Sequence, residues 1–102
     1  IEIGGRMGGD CIGSDLVQLS TGVDFVQAVI QISLGERPDL NCNDKKRVAA
    51  IHYIFGGNDF AVLRKLKKEH PEYIYYVSPI EKINSHKIVD SSTRYGYYIL
   101  AV

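Results

Sequence analysis

The spacing of apolar positions changes along the chain, and the change divides it near residue 41. Phe25, Ala28, Val29 and Ile32 recur at i, i+3, i+4 and i+7, the signature of one buried helix face. Asp24 is a good N-cap for that helix, Gly35 ends it, and Pro38 prevents its resumption. Upstream, Leu16, Val17 and Leu19 predict a shorter helix that Ser14 or Gly13 starts and Gly22 stops. Residues 36–44 are polar and turn-prone, with Pro38, Asn41 and Asn43, and read as a surface connection. Beyond them the period becomes two: Ala49, Ile51, Tyr53 and Phe55 alternate along a strand over residues 47–55, placing those four on its buried face. Gly56 and Gly57 close the strand, and Asn58 or Asp59 caps a helix bearing Phe60, Leu63 and Leu66. Lys67 and Lys68 complement that helix's negative end. Residues 73–78 and 95–102, rich in tyrosine and β-branched residues, read as further strands.

This pattern predicts an α+β chain in two parts: residues 1–40, a strand end, loop and two helices, and residues 41–102, a small antiparallel β-rich unit with one helix. At 102 residues the chain sits at the lower end of domain size, where folding buries roughly 60–70% of the unfolded surface. That suits one compact domain better than a complete enzyme with two substrates. The chain begins at Ile1, and apolar runs reach both ends, whereas domain ends are usually exposed and polar. The expectation is therefore a truncated piece of a longer protein, whose open strands lend themselves to self-association as a homo-oligomer.

Charge narrows the partners. Twelve basic and twelve acidic residues give a formal net charge of zero and are interspersed, so no field draws in nucleic acid or an anionic membrane. The basic cluster of Arg64, Lys65, Lys67 and Lys68 reads as a solvated helix face. Cys11 and Cys42 lack metal or disulfide spacing, which fits a reduced, cytoplasmic setting. No apolar stretch approaches the roughly 20 residues that cross a bilayer, and no signal-peptide pattern opens the chain.

The chemistry-bearing stretch is I-E-I-G-G-R-M-G-G-D, residues 1–10. It is neither a G-x-x-x-x-G-K-[ST] loop nor a dinucleotide G-x-G-x-x-G pattern. A carboxylate at a strand end, Glu2, can ligate Mg²⁺, which prefers hard oxygens completed by phosphates and water. Arg6, on an open loop, can present its planar fork to a carboxylate or phosphate. The glycine N–H groups add dipoles that favour negative charge. From the residues alone, a tight turn with a surface Glu–Arg pair accounts for the pattern equally well.

With S-D-L-V-Q-L-S-T-G-V-D-F and A-V-I-Q-I-S-L-G-E following, this stretch resembles the last motif of the ATP-grasp superfamily, in particular its carboxylate–amine and amino-acid ligase branch. S-S-T-R-Y-G-Y-Y-I-L-A is similar, more weakly, to a strand of the small domain that follows the grasp in such enzymes. Residues 41–90 match only in outline. The resemblance implies the carboxy-terminal part of a ligase that activates a carboxylate as its acyl phosphate, with ATP and Mg²⁺ (or Mn²⁺) as cofactors. It makes Glu2 the metal and ATP-site ligand, Arg6 the catalytic acyl-phosphate clamp, also at the ATP site, and Gly8 and Gly9 the loop lining the carboxylate. The substrates would be small carboxylates and amines. Gly4 stands where many relatives have a metal-contacting asparagine. The family's ATP-binding lysines, adenine hinge and second acidic ligand come from upstream sequence, so the 102 residues alone are expected to be inactive. A carboxylase-like or carboxylate–thiol ligase of the same superfamily, or a non-catalytic binding domain, is the alternative.

Asp10 can contact an amine substrate or cap the following helix, and its position before an apolar helix favours capping; Ser14 also reads as a cap. Arg94 reads as stacking on tyrosine. His52, His70 and His86 show no metal spacing, and the tyrosines read as sheet packing.

Overall fold

The computed structural model describes residues 1–43 and 47–102; Asp44, the end of the expected connection, lies outside the described residues. The chain divides into two compact units, Ile1–Ala49 and Ala50–Val102. Among the described residues it is mixed α and β, with three α-helices and one three-stranded antiparallel sheet.

In the first unit, residues 1–3 are not the expected strand: they carry no regular structure, and Ile1 and Ile3 are fully exposed. A strand exists through its ladder partners, and among the described residues none pairs with this segment. The first helical turns also begin differently from expectation. Cys11 adopts a left-handed φ of 61°, and its carbonyl accepts from the N–H groups of both Asp15 and Leu16 at 3.0 Å. This opens a π-turn, Ile12–Leu16, which continues into α1 (Val17–Thr21). The N-cap position is Cys11, whose own side chain makes no capping bond, and the Ser14 hydroxyl donates to Asp15 at 2.6 Å instead of capping. Gly22 ends α1 with a φ of 82°.

Helix α2 (Phe25–Ser33) has the caps its sequence implies. The Asp24 carboxylate accepts from the Gln27 N–H at 2.9 Å. At the other end Gly35 has a φ of 74°. Its N–H reaches the Ile32 carbonyl while that of Glu36 reaches the Gln31 carbonyl, the paired bonds of a Schellman termination. Ala28 is buried and Phe25 and Val29 are half-buried, but Ile32 is 60% exposed, a correction to the expected face. Phe25, in the first turn, lies beside Gly13. Ile32 stands about 10 Å further along the axis, beyond that packing.

In the second unit, β3 (Gly96–Ala101) lies between β1 (Ala49–Ile54) and β2 (Ile74–Val77). β2 and β3 pair antiparallel, Ile74 opposite Leu100 and Val77 opposite Tyr98, with a bulge between Ile74 and Tyr76. Helix α3 (Gly57–Glu69) follows β1. The core joins Ile54, Leu63, Tyr95 and Tyr98, with Phe60 and Leu66 packed against it. Along β1, Ala49, Ile51 and Tyr53 are half-buried and His52 is exposed; Phe55, one residue past the strand, is 54% exposed while Ile54 is fully buried, a correction to the expected face. His52 shares the parity of Ile54, and its ring stacks on Tyr98 at 5.3 Å. Neither Asn58 nor Asp59 caps α3, whose N-cap is Gly56. The Asp59 carboxylate instead accepts from the Phe55 N–H at 2.9 Å, which bridges the strand-to-helix turn. Burial, with the Asp59 carboxylate adding to it, pushes the Tyr98 phenol above its usual range.

Candidate functional site

The glycine-rich loop leads from the chain start into the π-turn. Glu2, Arg6, Gly8, Gly9 and Asp10 are all exposed, and Met7 is half-buried. Met7 holds the loop down. Its side chain occupies the space that a Cβ on buried Gly13 would need, with Phe25 on the same side. Gly8 lies near the Ile12 side chain with more room, an added Cβ coming within 3.2 Å. The Gly9 carbonyl accepts from the Ile12 N–H at 3.0 Å, so the turn from Gly9 to Ile12 is closed by its own backbone.

Asp10 and Cys11 have φ values of 52° and 61°. Two successive non-glycine residues in the left-handed region cost on the order of 1–3 kcal/mol each and persist where the surroundings over-determine them. Here the bonds that the Cys11 carbonyl accepts and the Gly9–Ile12 bond do so. Single π-turns within helices are frequent at functional sites, and one follows this pair directly.

Arg6 lies on this loop with its Nη1 donating to the Met7 carbonyl at 3.3 Å. That bond is long and solvent-exposed, and it leaves the other guanidinium donors for a ligand. Among the described residues Glu2 and Arg6 form no ion pair, and no group of three or more His, Cys, Asp or Glu side chains converges on a common point. One carboxylate does not make a magnesium site. Mg²⁺ is ordinarily held through one or two carboxylates together with phosphates and water, so Glu2 is at most one ligand among several.

Between the loop and α2 lies a cavity of about 400 Å³. Met7, Phe25, Val29 and Ile32 give it apolar walls, and among the described residues Arg6 is the only ionisable side chain lining it. Comparison with protein-family models, curated proteins and solved structures finds no match to this chain. The site therefore rests on its own residues.

Sequence reasoning pointed to Arg6 and the glycines and did not anticipate the cavity beside Arg6. Gly8, Gly9 and Asp10 do not line it, whereas Gly4 and Gly5 do. The available signal was Met7, the only methionine in the chain. A flexible apolar side chain within a glycine loop has to pack on something. Arg94 lies over the Tyr53 ring at 3.8 Å, a stacking contact in the second unit. Among the described residues no helix is long and apolar enough to cross a membrane.

Proposed function

We propose that this chain is the carboxy-terminal portion of an ATP-dependent carboxylate–amine ligase, and that the Arg6 loop is where it meets the carboxylate. The observation that carries the reading is the placement of Arg6. Its guanidinium is on an exposed loop rich in backbone N–H donors and lines a cavity of ligand size. ATP with Mg²⁺ would supply the activating phosphoryl group and the shielding of its charge. Glu2 would contribute one oxygen to that metal, completed by groups from the rest of the enzyme.

The residues present here hold and orient. Arg6 offers two parallel N–H donors to the carboxylate oxygens, a geometry that an ammonium cannot reproduce. As charge develops on the acyl phosphate, a donor already aimed at it stabilises the transition state without reorganisation. An amine then forms the new bond to the acyl carbon, and phosphate departs with the electron pair of the broken C–O bond. Nothing in the loop selects the acceptor, so a thiol-accepting ligase uses the same arrangement.

The test is acyl-phosphate trapping by the parent polypeptide. With ATP, Mg²⁺ and a panel of carboxylates, hydroxylamine should yield a hydroxamate, and Glu2→Gln and Arg6→Ala should abolish it. No ATP-dependent hydroxamate from any carboxylate in the panel would overturn the reading.

A further inference from the structure

The cavity beside Arg6 says more than that a carboxylate binds. Four of its walls, Met7, Phe25, Val29 and Ile32, are apolar, Ser33 adds a hydroxyl, and among the described residues Arg6 supplies the only ionisable group. Ile32 is 60% exposed although its neighbour on the same helix face, Val29, is half-buried. α2 therefore turns apolar surface toward this space. The volume of about 400 Å³ falls within the roughly 300–1,000 Å³ of small-molecule sites. The floor is fixed: Met7 packs into the place of a Gly13 side chain, and α2 is capped at both ends.

From this geometry we infer that the site takes a carboxylate with an apolar tail, its oxygens on Arg6 and its chain or ring against Met7, Phe25, Val29 and Ile32. The inference rests on the ligase reading for the fate of the carboxylate and adds the class of acid. A small polar acid would leave the apolar walls wet. An uncharged apolar molecule would leave the guanidinium without its anion. Burying the four methylene groups by which hexanoate exceeds acetate, and a hydrogen bond from the charged guanidinium, are each worth at least about tenfold in affinity. Both ends of the ligand therefore contribute measurably.

The experiment titrates the 102-residue chain with hexanoate, acetate and hexanamide, following backbone amide resonances. Hexanoate should shift Gly5, Val29 and Ser33 saturably, with acetate and hexanamide each binding at least about tenfold more weakly. Arg6→Gln should bring hexanoate to the level of hexanamide while leaving the rest of the spectrum unchanged. Equal binding of hexanoate and hexanamide, or of hexanoate and acetate, would overturn the proposal, as would shifts confined to other residues. The two readings fail separately. Selective hexanoate binding without hydroxamate formation by the parent polypeptide keeps the pocket and removes the ligase. Hydroxamate formation from polar acids only, without hexanoate binding, keeps the ligase and removes the pocket assignment.

Discussion

The Met7 side chain stands where a side chain on Gly13 would have to go, and this contact fastens the glycine loop to the turn that follows it. Gly13 is buried, so an added methyl has no solvent to move into. Gly13→Ala should displace Met7 and cost about 1–3 kcal/mol, the ordinary range for overpacking. Thermal unfolding with amide shifts at Arg6 and Phe25 checks it; a variant with wild-type stability and an unmoved loop would contradict the contact.

The second unit depends on the buried end of β1. Ile54→Ala removes a fully buried side chain and should cost about 2–5 kcal/mol. Phe55→Ala, one residue on, should cost about 1 kcal/mol, since Phe55 is half exposed and keeps chiefly an edge contact with Tyr53. Chemical denaturation of both variants checks this, and the reverse order would place Phe55 in the core ahead of Ile54.

That strand shows what the sequence could and could not convey. In Ala49 to Phe55 every position except His52 is apolar, so a single polar residue decided the face. His52 is exposed, as that pattern implies, yet it also lays its ring on Tyr98, since an imidazole presents an apolar body as readily as a polar tip. Helix α2 was legible to both caps, because Asp24 and Gly35 act within one turn of themselves. The start of α1 was not: Cys11 enters the left-handed region without any residue type that favours it. Residues 1–3 have strand composition, but pairing depends on a partner that composition does not reveal. At the site, Arg6 could be picked out by chemistry alone. The cavity needed Met7 and α2 brought together across a loop without period.

Asp90 gives a pH-dependent element. Its carboxylate accepts from the Ser92 hydroxyl and from the Ser92 and Thr93 N–H groups, while Thr93 bonds back to the Asp90 N–H. These bonds, the Ser92 hydroxyl first, hold its carboxyl below the usual carboxylate range. A lowered folded-state value means that the contribution is whole above the unfolded value of about 3.9 and is lost as pH falls through the folded one. Amide exchange at Ser92 and Thr93 should therefore stay protected at neutral pH and loosen on acidification below that value. Asp90→Asn should remove the pH dependence; an unchanged acid response in that variant would assign it to another group.

If the chain is the carboxy-terminal part of a ligase, it lacks the lysines and hinge that grip the nucleotide. Calorimetric titration of the 102 residues with ATP and Mg²⁺ should show no micromolar binding, because one exposed carboxylate and one arginine make few contacts. Tight binding would mean that the nucleotide site lies within this chain.

The role of Arg6 is the central claim, and comparing Arg6→Lys with Arg6→Ala in the parent polypeptide tests it most directly. Lysine keeps the charge but loses the planar fork, and removing one aimed donor from a developing oxyanion costs roughly 10²–10³ in rate. Both variants should therefore lose kcat to a similar degree while ATP affinity stays near wild type. Near-normal turnover in Arg6→Lys, or a loss confined to ATP affinity in both variants, would contradict the assignment.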